Sequence, residues 1–143
     1  HVRGRTPVDY QFPTASGKAA FHAFELPESR CADGELRLMT VRSEGQFNSV
    51  VYDEEDLYRG QERRDVVLMN RNDMDARGLT EDQQVRLRSA AGELRCYRVR
   101  EYDVRAGNIL MYYPEANVLV PRDVDPLSRT PGFKGVPVSV SAE

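Results

Sequence analysis

No apolar run in this chain is longer than the five residues Ile109 to Tyr113, well below the roughly 20 residues that a bilayer-spanning helix needs. The apolar character comes instead in short stretches of alternating or β-branched residues. Glu35 to Val41 places Leu36, Leu38 and Thr40 on one face, and Val66 to Met69 is apolar throughout. Val85, Leu87 and Ser89 alternate up to the turn Ala91-Gly92, and Leu94 with Cys96 begins a return strand. There the alternation slips, because Tyr97 and Val99 take over the apolar phase, and one extra residue of this kind predicts a β-bulge. Further short strands are predicted at Asn108 to Tyr112, Val118 to Val120 and Val136 to Val140, separated by Pro114, Pro121, Pro126 and Pro131. Val50 to Tyr52 and Ala19 to Leu26 also read as strands. A single short helix is predicted after Met69, capped by Asn70 or Asn72 and ended by Gly78. Many short strands around one small helix predict a closed or nearly closed barrel.

With 143 residues, the chain has the length of one domain and can bury roughly two-thirds of its unfolded surface. Residues 1–30 read as an extended arm and 31–143 as the barrel. The start at His1 without methionine leads us to expect a piece of a longer chain, and the lack of an apolar h-region in the first thirty residues leads us to expect no secretory signal. Cys31 and Cys96 stand too far apart for a zinc ligand set; with a bridge between them left open, they point to a reducing, cytoplasmic compartment. The net charge of −3 argues against general nucleic-acid binding. Of the 20 basic residues, all but Lys18 and Lys134 are arginines, the cation suited to bidentate phosphate contacts. Only His1 and His22 are available, so a Ser-His-Asp or Cys-His device is not expected, and no catalytic or metal-ligating residue is assigned. The charge-dense stretch Asp53 to Arg64 reads as a solvated surface excursion, mobile and dispensable for folding.

The stretch Thr40 to Ser49 is chemically richer. It concentrates Arg42, the hydroxyls of Thr40 and Ser43, Gly45 and the carboxamides of Gln46 and Asn48 just after a buried strand. Exposed amides with a guanidinium suit a phosphate, and Asn or Gln presents donor and acceptor edges to a base or pterin. By residue chemistry alone, an ordinary turn remains the competing reading.

Leu38-Met39-Thr40-Val41-Arg42-Ser43-Glu44-Gly45-Gln46-Phe47-Asn48 resembles the opening of the C-terminal dinucleotide-binding domain of molybdopterin oxidoreductases, especially formate dehydrogenase alpha subunits and their relatives. Phe12 to Ala19 is similar to the segment leading into that domain, and Asn72 to Gly78 with Val85 to Ser89 to its helix and hairpin. Asn117, followed by Asp125 to Lys134, resembles its closing segment. The resemblance implies a mainly β fold, a six-stranded double-psi β-barrel of the aspartate decarboxylase-like kind with one or more short helices. It implies a bis-molybdopterin guanine dinucleotide, with molybdenum or tungsten held by the cofactor and by upstream domains of the same polypeptide. Any iron–sulfur cluster would also lie upstream. Carried over by position, Thr40, Arg42, Ser43, Gln46, Asn48 and Asn117 would contact the pterin and pyrophosphate, with Phe133 and Lys134 closing the pocket. Three positions depart from the family pattern. Formate dehydrogenases commonly carry histidine near Gln46 and glutamate near Ser43, and Gly132 stands where a closing glutamate is often found.

The alternative is a β-barrel that binds nucleic acid or protein without a catalytic role, which would want interleaved aromatic and basic residues on exposed strands; Tyr97-Arg98 with Arg100-Glu101-Tyr102 is the only hint of that. A self-contained double-psi enzyme would require a Gly-Ser processing pair or an Asp-Thr/Ser-Gly motif, and neither occurs.

Overall fold

The computed structural model describes residues 12–25, 31–46, 53–126 and 128–143. Its strands are β1 (Leu36–Val41), β2 (Val66–Met69), β3 (Gln84–Arg88), β4 (Glu93–Glu101), β5 (Asn108–Tyr112) and β6 (Lys134–Ala142), with one helix, α1 (Arg71–Ala76). They close into a barrel in the order β1-β5-β2-β4-β3-β6. β1 runs parallel to β5 and β2 parallel to β4, and the other neighbours are antiparallel. This is the six-stranded double-psi barrel that the resemblance implies.

The strand patterns explain the closure. Leu36, Leu38 and Thr40 alternate inward along β1, and with Val67, Met69, Val85, Leu87, Val99, Ile109 and Met111 they fill the interior. The bulge lies where the alternation slips: between Val85 and Leu87 β3 spends one residue while β4 spends two, Arg95 and Cys96. Cys96 takes φ 60° there, the left-handed backbone that lets a strand turn sharply around a small barrel. Asn70 caps α1 by accepting from the Asn72 N–H at 2.9 Å, and Gly78 follows the helix at φ 62°. No disulfide joins Cys31 and Cys96.

Three sequence expectations are corrected. Residues 19–25 form no strand and are exposed, Phe21 and Phe24 included; Leu26 lies outside the described residues, as do Val50 to Tyr52. Val118 to Val120 is not a strand, because Glu115–Leu119 winds into a 3₁₀ helix. Its three-residue period buries Ala116 and Leu119 together, and the Asn117 N–H donates to the Pro114 carbonyl at 2.9 Å.

The third correction concerns Asp53 to Arg64, which is not simply a solvated excursion: Asp56 is 1% and Arg64 6% exposed. The reason lies in β2, which is apolar on both faces. Val67 and Met69 enter the barrel, whereas Val66 and Leu68 join Tyr112 in a second cluster outside it. The charged segment packs against that cluster. Tyr112 donates its hydroxyl to Asp56 Oδ2 at 2.7 Å, and the Arg64 guanidinium lies 5.0 Å from the centre of the Tyr112 ring.

Candidate functional site

A cleft of about 680 Å³ opens at the C-terminal end of β1, where that strand meets the start of β6 and the segment after β5. Thr40, Arg42, Asn117, Phe133 and Lys134 line it together, although they come from three separate parts of the chain. Tyr113 and Arg122 line it as well, and sequence reasoning did not single them out. Thr40 fixes the junction: its N–H and Oγ1 both donate to the Phe133 carbonyl, at 3.3 and 3.2 Å, while Lys134 Nζ donates to the Thr40 carbonyl. Arg42 stacks over the Tyr113 ring at 5.5 Å. Burial pushes the Lys134 ammonium below its ordinary range, and the positive charges of Arg42 and Arg59 push it the same way.

Ser43 and Gln46 are not among the cleft-lining residues. Both are buried and face Arg64, whose Nη1 donates to Ser43 Oγ at 2.9 Å and whose Nη2 donates to Gln46 Oε1 at 3.3 Å. Gln46 Nε2 in turn donates to the Tyr113 carbonyl at 2.9 Å. Arg64 also donates to that carbonyl at 2.6 Å and forms a two-point pair with Glu115, at 2.6 and 3.1 Å. Asn48 lies outside the described residues.

A second cluster sits beside the first. Arg59 Nη1 donates to Asp56 Oδ2 at 2.6 Å and to the Arg42 carbonyl at 2.9 Å. Burial works against the Asp56 carboxylate, but hydrogen bonds from Arg59 and Tyr112 outweigh it and hold the carboxyl below its usual range. The same burial and bond keep Tyr112 protonated well above the ordinary tyrosine range. Arg59, Arg64 and Glu115 thus support the cleft loop from behind, and nothing in a run of charges marks which of them are buried. The available signal was position: Arg64 lies two residues before the doubly apolar β2, where a cation must find partners as the chain turns inward.

Residues 36–137 match the family described as Molydopterin dinucleotide binding domain, a span that runs from the first residue of β1 into β6 and includes the whole cleft. The chain belongs to this family. The chain is similar to an uncharacterized oxidoreductase of Mycobacterium tuberculosis, 37% identical over 137 residues that cover 88% of this chain and 18% of that protein. Protein YdeP of Escherichia coli is 31% identical over 146 residues, covering 93% of this chain and 19% of its own length. The domain therefore spans about a fifth of the curated relatives it matches. Acetylene hydratase from Pelobacter acetylenicus shares the fold, with a TM-score of 0.58 at 16% identity over 78% of this chain and 19% of that one. Among the described residues no helix is long and apolar enough to cross a membrane.

Proposed function

We propose that this domain holds the dinucleotide part of a bis-molybdopterin guanine dinucleotide within a larger cytoplasmic oxidoreductase related to formate dehydrogenases. The observation that carries the reading is the convergence of Arg42, Asn117, Phe133 and Lys134 on one cleft. The donor set fits the group. Arg42 and Lys134 bring two positive charges to one place, and Arg42 offers the planar fork that matches phosphate oxygens. Burial and the positive charges of Arg42 and Arg59 hold Lys134 below its ordinary range, and a pyrophosphate beside it would offset the part due to those charges. The Asn117 carboxamide supplies donor and acceptor edges for guanine or pterin, and Phe133 and Tyr113 supply aromatic faces. Asn48 joins this set by its place in the chain, and Ser43 and Gln46 serve it from behind through Arg64.

When bound, the cofactor carries the molybdenum or tungsten at which electrons are exchanged. Among the described residues no group of three or more His, Cys, Asp or Glu side chains is placed to hold a metal. Following the family resemblance, the metal's protein ligand and any iron–sulfur cluster belong to upstream domains, which would also determine whether formate is the substrate.

The test uses the longer polypeptide that carries this domain. A guanidinium bound to a buried phosphate contributes roughly 1.5–3 kcal/mol, or about ten- to a hundredfold in affinity. Arg42→Ala should lower the content of metal and of acid-released GMP together while the fold persists, and Arg42→Lys should restore only part. Full cofactor content in Arg42→Ala after dilution and mild heating would overturn the reading.

A further inference from the structure

The walls of the cleft come from two segments distant in sequence. One is the loop after β1, which carries Arg42; the other is the segment after β5, Tyr113 to Leu119, which carries Asn117. The Arg64 guanidinium lies between them. It donates to Ser43 and Gln46 on the first segment, and to the Tyr113 carbonyl and the Glu115 carboxylate on the second. It is buried, and breaking one side of such a buried charge network releases both partners. Gln46 reinforces the bridge by donating to the same Tyr113 carbonyl. Arg64 and these four partners all lie outside the six strands of the barrel.

We propose that Arg64, clamped by Glu115, is a positioning residue for the dinucleotide: one guanidinium joins the two cofactor-facing segments and so sets Arg42 at the correct distance from Asn117. This rests on the functional reading above and adds the residue that presets its geometry. Arg64 touches no cofactor. It acts by holding the backbone on either side of the cleft, which spares the bound state the cost of ordering that loop.

The probe is GDP, which carries both a guanine and a diphosphate, titrated into the 143-residue chain by NMR. Arg64→Lys keeps the charge but loses the fork, and should raise the GDP dissociation constant about tenfold, the equivalent of one misplaced charge-assisted contact. Glu115→Gln keeps the shape and should raise it about threefold. Val85→Ala, a cavity in the core away from the cleft, should lower the melting temperature and leave the dissociation constant unchanged. Because Arg64 works through Arg42, Arg64→Lys should have less than about a twofold further effect in an Arg42→Ala background. If Arg64→Lys does not fold, Glu115→Gln decides. Wild-type binding by Arg64→Lys and Glu115→Gln alongside weakened Arg42→Ala overturns this inference alone, as does full additivity with Arg42→Ala. A wild-type chain that does not bind GDP, or an Arg42→Ala chain that binds as wild type does, overturns the functional reading and this inference with it.

Discussion

Replacing Asp56 with alanine should cost the fold far more than replacing any acid beside it. The carboxylate accepts from Arg59 Nη1 at 2.6 Å, from the Tyr112 hydroxyl at 2.7 Å and from the Tyr58 N–H at 3.2 Å. Each charge-assisted side-chain bond contributes roughly 1.5–3 kcal/mol. Arg59 has 21% of its side chain exposed and regains some hydration, whereas the Tyr112 hydroxyl is left buried without a partner. The net loss is about 2–4 kcal/mol, and at about 3 °C per kcal/mol for a chain of this size the melting temperature should fall by roughly 6–12 °C. Thermal unfolding followed by circular dichroism at neutral pH measures it. The exposed neighbour Glu55→Ala should stay within about 0.5 kcal/mol of wild type. The pH dependence has a definite sign. The folded Asp56 carboxyl lies below its ordinary value of 3.8, so its contribution is present above that value and is lost as pH falls through the folded one. Asp56→Asn should remove that part of the acid limb. If Asp56→Ala melts with Glu55→Ala, the charged segment is a solvated excursion after all, and the packing against Tyr112 has no energetic weight.

Lys134 is held below its ordinary 10.5 by burial and by neighbouring cations, so its charge is lost at a lower pH than that of a free lysine. GDP binding should therefore weaken more steeply with rising pH in the wild type than in Lys134→Arg; parallel profiles would contradict a phosphate contact at Lys134. A Cβ at Gly92 would sit 2.7 Å from the Val118 carbonyl oxygen and 3.0 Å from its Cγ1, so Gly92→Ala should cost about 1–3 kcal/mol. An unchanged melting temperature would show that the 3₁₀ helix yields to the Ala91-Gly92 turn without penalty.

What could be read from the chain in advance was whatever local periodicity dictates. The inward face of β1, the apolar β2, the Asn70 cap and the β4 bulge all follow from residues within one or two turns of each other. Closure with two parallel neighbours did not follow, because parallel pairing joins segments that share no local signal. The sequence pattern points to strand where the 3₁₀ helix forms because Val118-Leu119-Val120 is apolar with two β-branched residues, while the decisive spacing, Ala116 to Leu119, is three. In the site, Thr40, Arg42, Asn117, Phe133 and Lys134 were named from a resemblance and lie on one cleft. Arg59 and Arg64 were invisible for a different reason. A run of charges reads as solvated until the apolar outer face of β2 is known, and that face is defined by Tyr112, nearly fifty residues further on.

The central claim is that the dinucleotide lies between the loop after β1 and the start of β6, and an amide map of the isotope-labelled chain titrated with GDP tests it most directly. Shifts should concentrate at Thr40, Arg42, Tyr113, Asn117, Phe133 and Lys134. The other end of β1 supplies the internal contrast, where Gly34, Arg37, Arg105 and Asn108 line a polar depression of about 480 Å³. Shifts centred there, with the Arg42 and Asn117 amides unmoved, would contradict a dinucleotide cleft at the C-terminal end of β1.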